Sequence, residues 1–352
     1  MIRDLPGLDI TRFEGWLREH HPHLLTDEPL TATLITGGLS NLSYAIHGGA
    51  RAYVLRRPPL GHVLASAHDM GREYRVMSAI GGSGIPVPRT RLLHHDDDGA
   101  AGVGTEFYLM DLVEGSTLRS PAETSEYSPR ELRMLGPELV GVLADIHDLD
   151  WRARGLGEFG RPDGFLERQV SRWRRQLDQS RSRDLPALDA LFERVSTGIP
   201  ETTSVSIVHG DYRLDNTLIA RTPARPVVTA VLDWEMSTIG DSLTDLGLLG
   251  VYWHLHDVPG AAESPLASAI RPGGGFSSFP ELVDIYARCR ARRVPDLSWY
   301  LAFASFKLAV VLEGIHYRHT RGQTVGTGFD TIGGLVPGLA ERGLNSLMKR
   351  KA

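Results

Sequence analysis

Three short apolar runs separated by pairs of glycines constrain the first part of this chain more than any other feature. The runs cover residues 30–35, 42–47 and 52–56, and Gly37-Gly38 and Gly48-Gly49 lie between them. Such runs are typical of β-hairpins, because glycine accepts the backbone angles that tight turns require. The sequence therefore predicts an antiparallel meander of three strands.

The spacing of apolar residues changes after this meander. Between residues 66 and 80 they recur at the spacing of one helix face. Two further strand-like runs follow at 89–94 and 106–112, separated by the polar turn HDDDGAAG. Five strands with one helix after the third predict a small α+β lobe over residues 1–114.

From residue 115 onward the pattern is mostly helical. Residues 129–149, 165–180 and 300–319 have helical spacing. Brief apolar runs typical of strands interrupt this region at 205–208, 217–219 and 227–232. We therefore expect an α+β protein with two lobes and a cleft, in which residues 115–352 form the larger, mainly helical lobe.

Charge and composition exclude several classes of protein. The chain has 38 Lys and Arg against 43 Asp and Glu, a net charge of -5, which is the wrong sign for a general nucleic-acid binder. Cys289 is the single cysteine, so neither an internal disulfide nor a cysteine-based zinc site can form. No run of 18 apolar residues occurs. These features predict a cytoplasmic protein with no nucleic-acid or membrane partner.

Polar residues that suit phosphoryl transfer follow two of the apolar runs. His209, Asp211 and Asn216 come after residues 205–208, and Asp233 ends the run at 227–232. A carboxylate can accept the proton of an attacking hydroxyl. We assign this role of general base to Asp211. Carboxylate and amide oxygens are suitable ligands for Mg²⁺. We therefore assign the role of metal ligand to Asp233 and Asn216.

Four motifs in order carry a resemblance to a known family. HGDYRLDN, VLDWE and GDSLTDLG resemble the catalytic core of the aminoglycoside phosphotransferases, the small-molecule branch of the protein-kinase-like fold. ITGGLSNLSYAI with YVLRRPPLG is similar to the subgroup fused to some acyl-CoA dehydrogenases. The resemblance runs from about residue 30 to about residue 252. It implies an ATP- and Mg²⁺-dependent kinase that phosphorylates a hydroxyl group of a small molecule.

The resemblance also implies how a nucleotide binds in the first lobe. Gly37, Gly38, Ser40 and Asn41 correspond to the turn that covers the phosphates, where glycine lets backbone N–H groups approach closely. The resemblance further implies a hinge between the lobes at residues 110–114, in which the backbone of Asp111, Leu112 and Val113 binds the adenine.

The third strand of such kinases normally supplies a lysine to the phosphates. The lysines here are Lys307, Lys349 and Lys351, so an arginine must take that place, and Arg56 fits the register better than Arg57. Strand alternation places these two side chains on opposite faces. Glu73, on the following helix, is the expected ion-pair partner of Arg56.

Three further polar residues are expected to have structural roles. By the resemblance, His209 orients the loop that carries Asp211. Asp241 and Asp245 are expected to cap and tie the helix that begins near Ser242, because an aspartate before a helix can accept its free N–H groups.

Two questions stay open at the level of sequence. The missing lysine permits a pseudokinase that binds nucleotide without turnover, whereas a protein kinase is disfavoured because no A-P-E segment follows Asp233. The arginines at 168–183 form either a solvated face or a site for an anionic acceptor. They are Arg168, Arg172, Arg174, Arg175, Arg181 and Arg183.

Overall fold

The computed structural model describes residues 5–35, 41–60, 69–264, 266, 268–323 and 328–348. The chain divides into two compact units. The first comprises Met1–Gly115 and Thr229–Ser237, and the second comprises Ser116–Val228 and Thr238–Ala352. The short segment Thr229–Ser237 thus groups with residues more than a hundred positions earlier, and it brings Asp233 into the first unit.

The first unit is built around a five-stranded antiparallel sheet in the order β1-β2-β3-β5-β4. Its strands are β1 (Thr31–Leu34), β2 (Leu42–His47), β3 (Tyr53–Arg57), β4 (Thr90–His95) and β5 (Glu106–Asp111), and its helices are α1 (Ile10–His20) and α2 (Met70–Ile80). The predicted meander and the helix after the third strand are both present. The predicted fold class, a small antiparallel sheet followed by a mainly helical remainder, is confirmed.

The core of this unit forms where α1 meets the sheet. Asp9 caps α1 by accepting hydrogen bonds from the N–H groups of Thr11 and Arg12. The helix then buries Phe13, Trp16 and Leu17 in a cluster with residues of β2, β3 and β5. Apolar burial on one helix stripe is the expected source of its stability.

The polar turn between β4 and β5 is organised by one buried carboxylate. Asp96 is fully buried and accepts hydrogen bonds from the backbone N–H groups of Ala101, Val103 and Gly104 at 2.7–2.8 Å. These donors lower the pKa of Asp96 against the opposing effect of burial. The Asp96 carboxylate therefore fixes the conformation of the turn HDDDGAAG, because it accepts hydrogen bonds from backbone N–H groups in and after this turn.

The second unit is mainly helical and contains short strands. Its helices are α3 (Pro121–Thr124), α4 (Pro129–Asp148), α5 (Phe165–Ser180), α6 (Pro186–Thr197), α7 (Leu243–Trp253), α8 (Phe279–Cys289), α9 (Ser298–Thr320), α10 (Phe329–Ile332) and α11 (Leu335–Met348). The remaining strands of the chain are β6 (Val205–Val208), β7 (Thr217–Arg221), β8 (Pro226–Val231) and β9 (Thr238–Asp241). β6 pairs with β9, and β7 pairs with β8.

Helix α9 forms the centre of the second unit. It packs against α5, α7 and α11. Within the part of the chain that the structure describes, it is the helix long and apolar enough to cross a membrane by length and composition, yet 72% of its apolar window is buried inside the protein. Its apolar composition is explained by this position in the core.

Candidate active site

The loop that follows β6 carries the predicted catalytic residue and is fixed at its backbone. Gly210 has φ of +87°, a conformation that residues with a side chain rarely adopt. The carboxylate of Asp245, on α7, accepts hydrogen bonds from the N–H groups of His209 (2.7 Å) and Gly210 (2.8 Å). The orientation of the next residue, Asp211, therefore depends on a buried carboxylate 34 positions further along the chain.

The sequence-based role of Asp245 needs a correction. We expected it to cap the helix near Ser242, but its carboxylate accepts from the loop before Asp211 instead. Asp241 does serve the helix start, because its Oδ1 accepts the N–H of Leu243 at 2.9 Å. The prediction was wrong for Asp245 because that residue lies inside α7, where the helix supplies the backbone partners.

A chain of buried hydrogen bonds supports Asp245 from behind. His147 Nε2 lies 3.2 Å from Asp245 Oδ2, and His147 Nδ1 lies 2.6 Å from the hydroxyl of Tyr286. The guanidinium of Arg290 donates to that hydroxyl at 2.8 Å. Donation from Arg290 to Tyr286, from Tyr286 to His147 and from His147 to Asp245 satisfies each group. Burial lowers the pKa of His147, which favours this neutral form.

The carboxylate of Asp211 itself stays partly exposed, at 24% of its side-chain surface. Asn216 Nδ2 donates to Asp211 Oδ2 at 2.9 Å and to the Asp211 carbonyl oxygen at 2.8 Å. The guanidinium of Arg213 lies 3.7 Å from Oδ2, and the Tyr252 hydroxyl lies 3.5 Å from Oδ1. Asp211 is thus held by its neighbours while remaining accessible, which is what a base acting on a bound hydroxyl requires.

His209 has the structural position that the resemblance implies. It is fully buried, and its Nδ1 accepts the backbone N–H of Asp211 at 3.2 Å. Its ring packs edge-on against Tyr212. These contacts orient the loop and keep the imidazole away from solvent.

The first unit contains a second charged group centred on Arg56. Arg56 Nε lies 2.9 Å from Glu73 Oε2, so the expected pair with Glu73 is present, and Arg56 Nη2 lies 2.9 Å from Asp233 Oδ1. The side chains of Arg56 and Glu73 are only 15% and 2% exposed. Burial raises the pKa of Glu73 and the charge of Arg56 opposes the rise, so the arginine is what makes an ionised Glu73 tolerable there.

Arg57 points to the other face of the sheet, as strand alternation predicts. It is buried, and its guanidinium donates to the carbonyl oxygens of Gly7 (2.6 Å), Val103 (2.8 Å) and Pro58 (3.1 Å). Arg57 is therefore a structural residue that joins the N-terminal segment to the sheet.

Asp233 has an unusual backbone conformation for a residue with a side chain. Its φ and ψ of 66° and 60° lie in the left-handed region, which aspartate and asparagine tolerate better than most residues. This conformation places the carboxylate beside Arg56 immediately after β8 ends. Two residues later, Glu235 Oε2 accepts a hydrogen bond from Asn41 Nδ2 at 3.3 Å, and Asn41 is buried.

The predicted adenine-binding residues have different backbone partners. The N–H groups of Asp111 and Leu112 donate to the carbonyl oxygens of Arg89 and Ala52, respectively, each at 2.9 Å. The N–H of Val113 has no partner among the described residues. Val113 is therefore the predicted hinge residue with a free donor. Gly37, Gly38 and Ser40 lie outside the described residues.

Each predicted metal ligand has a side-chain oxygen that accepts no hydrogen bond among the described residues. The amide nitrogen of Asn216 donates to Asp211. The amide oxygen of Asn216 accepts no hydrogen bond in the described part of the chain. Asp233 uses Oδ1 toward Arg56, and its Oδ2 likewise has no described partner. Hard oxygen donors of this kind fit Mg²⁺. No group of three or more His, Cys, Asp or Glu side chains suited to a metal forms among the described residues.

Three of the six arginines of the 168–183 region are neutralised by carboxylates within the second unit. Arg174 and Arg181 pair with Asp189, and Arg183 pairs with the buried Glu313. Arg172 and Arg175 are exposed and form no ion pair among the described residues. The uniform positive face suggested by the sequence is thus reduced to a few side chains.

Sequence reasoning missed one residue near Asp211. The ammonium of Lys307, on α9, donates a hydrogen bond to the carbonyl oxygen of Gly210. The signal in the sequence was that Lys307 is the one lysine before the last four residues. Its position beside the loop could not be found from the sequence, because 97 residues separate it from Gly210.

Comparison with known proteins identifies similar sequences and similar folds. Residues 31–273 match the APH phosphotransferase enzyme family. A protein of Ralstonia eutropha, described as a candidate aminoglycoside phosphotransferase, is 31% identical with a TM-score of 0.81, covering 97% of this chain and 98% of that one. The fold is thus that of a kinase-like phosphotransferase. This chain belongs to the APH family of phosphotransferases.

Other relatives define the fold and the subgroup. The GDP complex of aminoglycoside 2'-phosphotransferase IIIa has a TM-score of 0.62 at 14% identity, covering 96% of this chain and 99% of that one, and so shares the fold. Acyl-CoA dehydrogenase family member 11 of Gallus gallus is 34% identical over 336 residues, 91% of this chain and 41% of that protein. The chain spans less than half the length of the curated relatives it matches.

Proposed function

We propose that this protein transfers the γ-phosphoryl group of ATP to a hydroxyl group of a small molecule, with Mg²⁺ as the metal. The observation that carries the proposal is the carboxylate of Asp211, which is partly exposed, hydrogen-bonded by Asn216 and carried on a loop anchored by Asp245. We assign the nucleotide side of the reaction to residues 1–114 and the acceptor side to residues 115–352.

In the proposed reaction Asp211 accepts the proton of the acceptor hydroxyl. The hydroxyl oxygen forms a bond to the γ-phosphorus while the bond from that phosphorus to the β,γ-bridging oxygen breaks, and ADP leaves. The proton stays on the Asp211 carboxyl until it is released to solvent. Asn216 keeps the carboxylate oriented through its amide nitrogen, which also turns the amide oxygen away from Asp211.

On the nucleotide side we assign roles to residues of the first unit. Arg56 would pair with the phosphates, because its planar fork carries more donors than Glu73 and Asp233 use. The N–H of Val113, which has no partner among the described residues, would bind the adenine, with Asp111 and Leu112 shaping the hinge. Gly37, Gly38, Ser40 and Asn41 would contact the phosphates, as the resemblance implies. A nucleotide donor is supported by proteins of this fold that bind GDP or ADP.

Asn216 and Asp233 would hold the metal through their free oxygen atoms. When bound, Mg²⁺ neutralises charge on the phosphates of the donor. The role of these two residues is to supply hard oxygen ligands, and that of Arg56 is to keep the Asp233 carboxylate in place.

For the acceptor we propose an anionic or acyl-type hydroxy compound. A polycationic aminoglycoside within about 8 Å of unpaired cations would be repelled at physiological salt. Lys307 and Arg172 are such cations in the acceptor-side unit. The similarity to acyl-CoA dehydrogenase family members supports the same class. We therefore expect little activity on kanamycin, which a protein of this fold binds together with GDP.

The proposal is tested by replacing the base in the full chain. ADP release from ATP and Mg²⁺ is measured against hydroxy acids, hydroxyacyl-CoA thioesters and aminoglycosides. With any acceptor that supports turnover, Asp211→Asn should lower kcat by about 10²- to 10⁴-fold and leave the dissociation constant of ATP within about twofold. The matched control is Asp215→Asn, a carboxylate of the same loop that pairs with Arg213, and it should keep most of the activity.

Two results would contradict the proposal. Near-normal kcat in Asp211→Asn would remove that residue as the base. Binding of ATP with no Asp211-dependent ADP release for any acceptor would favour the alternative, a nucleotide-binding pseudokinase, for which the arginine at position 56 is the motivating observation.

A further inference from the structure

Lys307 brings a positive charge next to the proposed base from a distant part of the chain. Its ammonium donates to the carbonyl oxygen of Gly210, the residue that immediately precedes Asp211. The side chain is partly exposed, so a bound molecule can reach it. Every partner of this contact lies within the second unit.

The ammonium has donors left after this contact. A lysine carries three N–H donors, and the Gly210 carbonyl uses one of them. The other described neighbour is the ring of Trp173, whose centroid lies 5.4 Å from Nζ. Lys307 forms no ion pair with a carboxylate among the residues that the structure describes.

A second cation lies on the same tryptophan. The guanidinium carbon of Arg172 is 5.7 Å from the Trp173 ring centroid, and Arg172 is exposed with no described ion pair. Only 4% of Trp173 is exposed, and its buried indole nitrogen has no hydrogen-bond partner in the described part of the chain. Two cations therefore lie 5.4 and 5.7 Å from the centroid of one ring.

The neighbouring arginines differ from Arg172 because they form ion pairs. Arg174, Arg181 and Arg183 all pair with carboxylates. Burial lowers the pKa of Lys307, the charges of Asp211 and Asp245 oppose the shift, and Arg172 adds to it. A cation held in partly desolvated surroundings near another cation gains most from an anionic oxygen.

We propose that Lys307 and Arg172 form an anion site that binds a carboxylate of the acceptor, beside the hydroxyl group that Asp211 deprotonates. This inference rests on the proposed phosphotransferase function and narrows its acceptor to hydroxy acids with a free carboxylate. The carboxylate accepts hydrogen bonds from the ammonium and the guanidinium, and Trp173 supplies an apolar surface for the carbon chain.

The experiment compares acceptors that differ only in charge. Hydroxy acids of four to eight carbons are assayed with the full chain beside their methyl esters and the corresponding amino alcohols. We expect kcat/KM to be highest for the acids and lowest for the amino alcohols. If Lys307 donates a charge-assisted hydrogen bond to the acceptor, Lys307→Gln should lower kcat/KM for the acids by roughly 10- to 100-fold. The same variant should lower kcat/KM for the esters much less.

Arg172→Gln separates recognition from support of the loop. Lys307→Gln removes the contact to Gly210 and could lower kcat for every acceptor, whereas Arg172 makes no described contact to that loop. Arg172→Gln should therefore raise KM for the acids by about 3- to 10-fold with kcat and the ester KM unchanged. Lys307→Arg keeps the charge and should restore part of the preference for acids. Arg194→Gln, an exposed arginine of α6, is the matched control and should change nothing.

The outcomes distinguish this inference from the function on which it rests. Equal use of acids and esters, a preference for thioesters, or a uniform loss for all acceptors in Lys307→Gln would overturn the anion site, while Asp211-dependent ADP release would leave the phosphotransferase intact. If no acceptor is phosphorylated, binding of the hydroxy acids is measured by calorimetry. Binding that Lys307→Gln abolishes would support the anion site alone, and absence of binding would overturn it.

Discussion

The Arg56 group in the first unit and the Asp211 loop in the second place carboxylates under opposite conditions. Arg56, Glu73 and Asp233 are linked by ion pairs, with Glu73 only 2% exposed. Asp211 is 24% exposed, and the loop beneath it is fixed by backbone hydrogen bonds to Asp245. The comparison teaches that the proposed function and the stability of the first group depend on the same residues. In the second group they are separable, because the proposed base, Asp211, and the residue that anchors its loop, Asp245, are different residues.

The largest effect should follow from breaking the first group at its centre. Arg56→Met leaves Glu73 as an unpaired buried carboxylate, so we expect a loss of about 3–5 kcal/mol in the free energy of unfolding, together with loss of turnover. Denaturant unfolding measures the first effect. Asp211→Asn, measured in parallel, should lose less than about 1 kcal/mol, because an asparagine oxygen can still accept from Asn216. Equal destabilisation by the two variants would break the comparison.

The same variant has a signed dependence on pH. Burial raises the folded-state pKa of Glu73, so stability falls as the pH rises from the unfolded pKa through the folded one. Without Arg56 that folded pKa rises further. The difference in Tm between the wild type and Arg56→Met should therefore be smaller at acidic than at alkaline pH. A difference independent of pH would mean that Glu73 is not the group left unpaired.

Arg57→Met should lower stability without changing nucleotide use. The carbonyl oxygens of Gly7 and Val103 lose a buried donor, which predicts a loss of about 1–3 kcal/mol in unfolding free energy. Because Arg57 lies on the other face of β3, the KM for ATP should stay within about twofold of the wild type once the variant is folded. A large rise in that KM would mean that the two arginines are assigned to the wrong roles.

Asp233→Asn should weaken the binding of Mg-ATP by about tenfold, an effect of one lost charge at the metal. Asparagine is preferred to alanine here because it tolerates the left-handed backbone at this position, which avoids added strain. Calorimetry with Mg²⁺ and with a chelator measures the effect. Affinity without Mg²⁺ should change little, and an unchanged dependence on Mg²⁺ would move the metal site elsewhere.

The smallest effect should come from Tyr252→Phe. Its hydroxyl lies 3.5 Å from Asp211 Oδ1, a long hydrogen bond that contributes little. We expect kcat to fall by no more than about threefold, since a weak contact is worth well under 1 kcal/mol. A loss as large as that of Asp211→Asn would show that the hydroxyl takes part in the reaction.

Local patterns were sufficient to predict individual elements in both units. The strand at residues 42–47 and the helix at 165–180 were predicted with the bounds that the structure has. The opposite orientation of Arg56 and Arg57 followed from strand alternation alone. What alternation could not show was that the outward arginine is buried, since its partners Gly7 and Val103 lie 50 and 46 residues away.

The sequence by itself determined the five strands of the first unit, the helix after the third strand and the positions of Asp211, Asn216 and Asp233 along the chain, because periodicity and turn residues act over a few positions. Tertiary structure alone decided that Asp245 anchors the loop before Asp211 and that Lys307 lies beside Gly210. It also decided which arginines near α5 remain unpaired. These outcomes depend on packing between segments far apart in the chain, which no local pattern encodes.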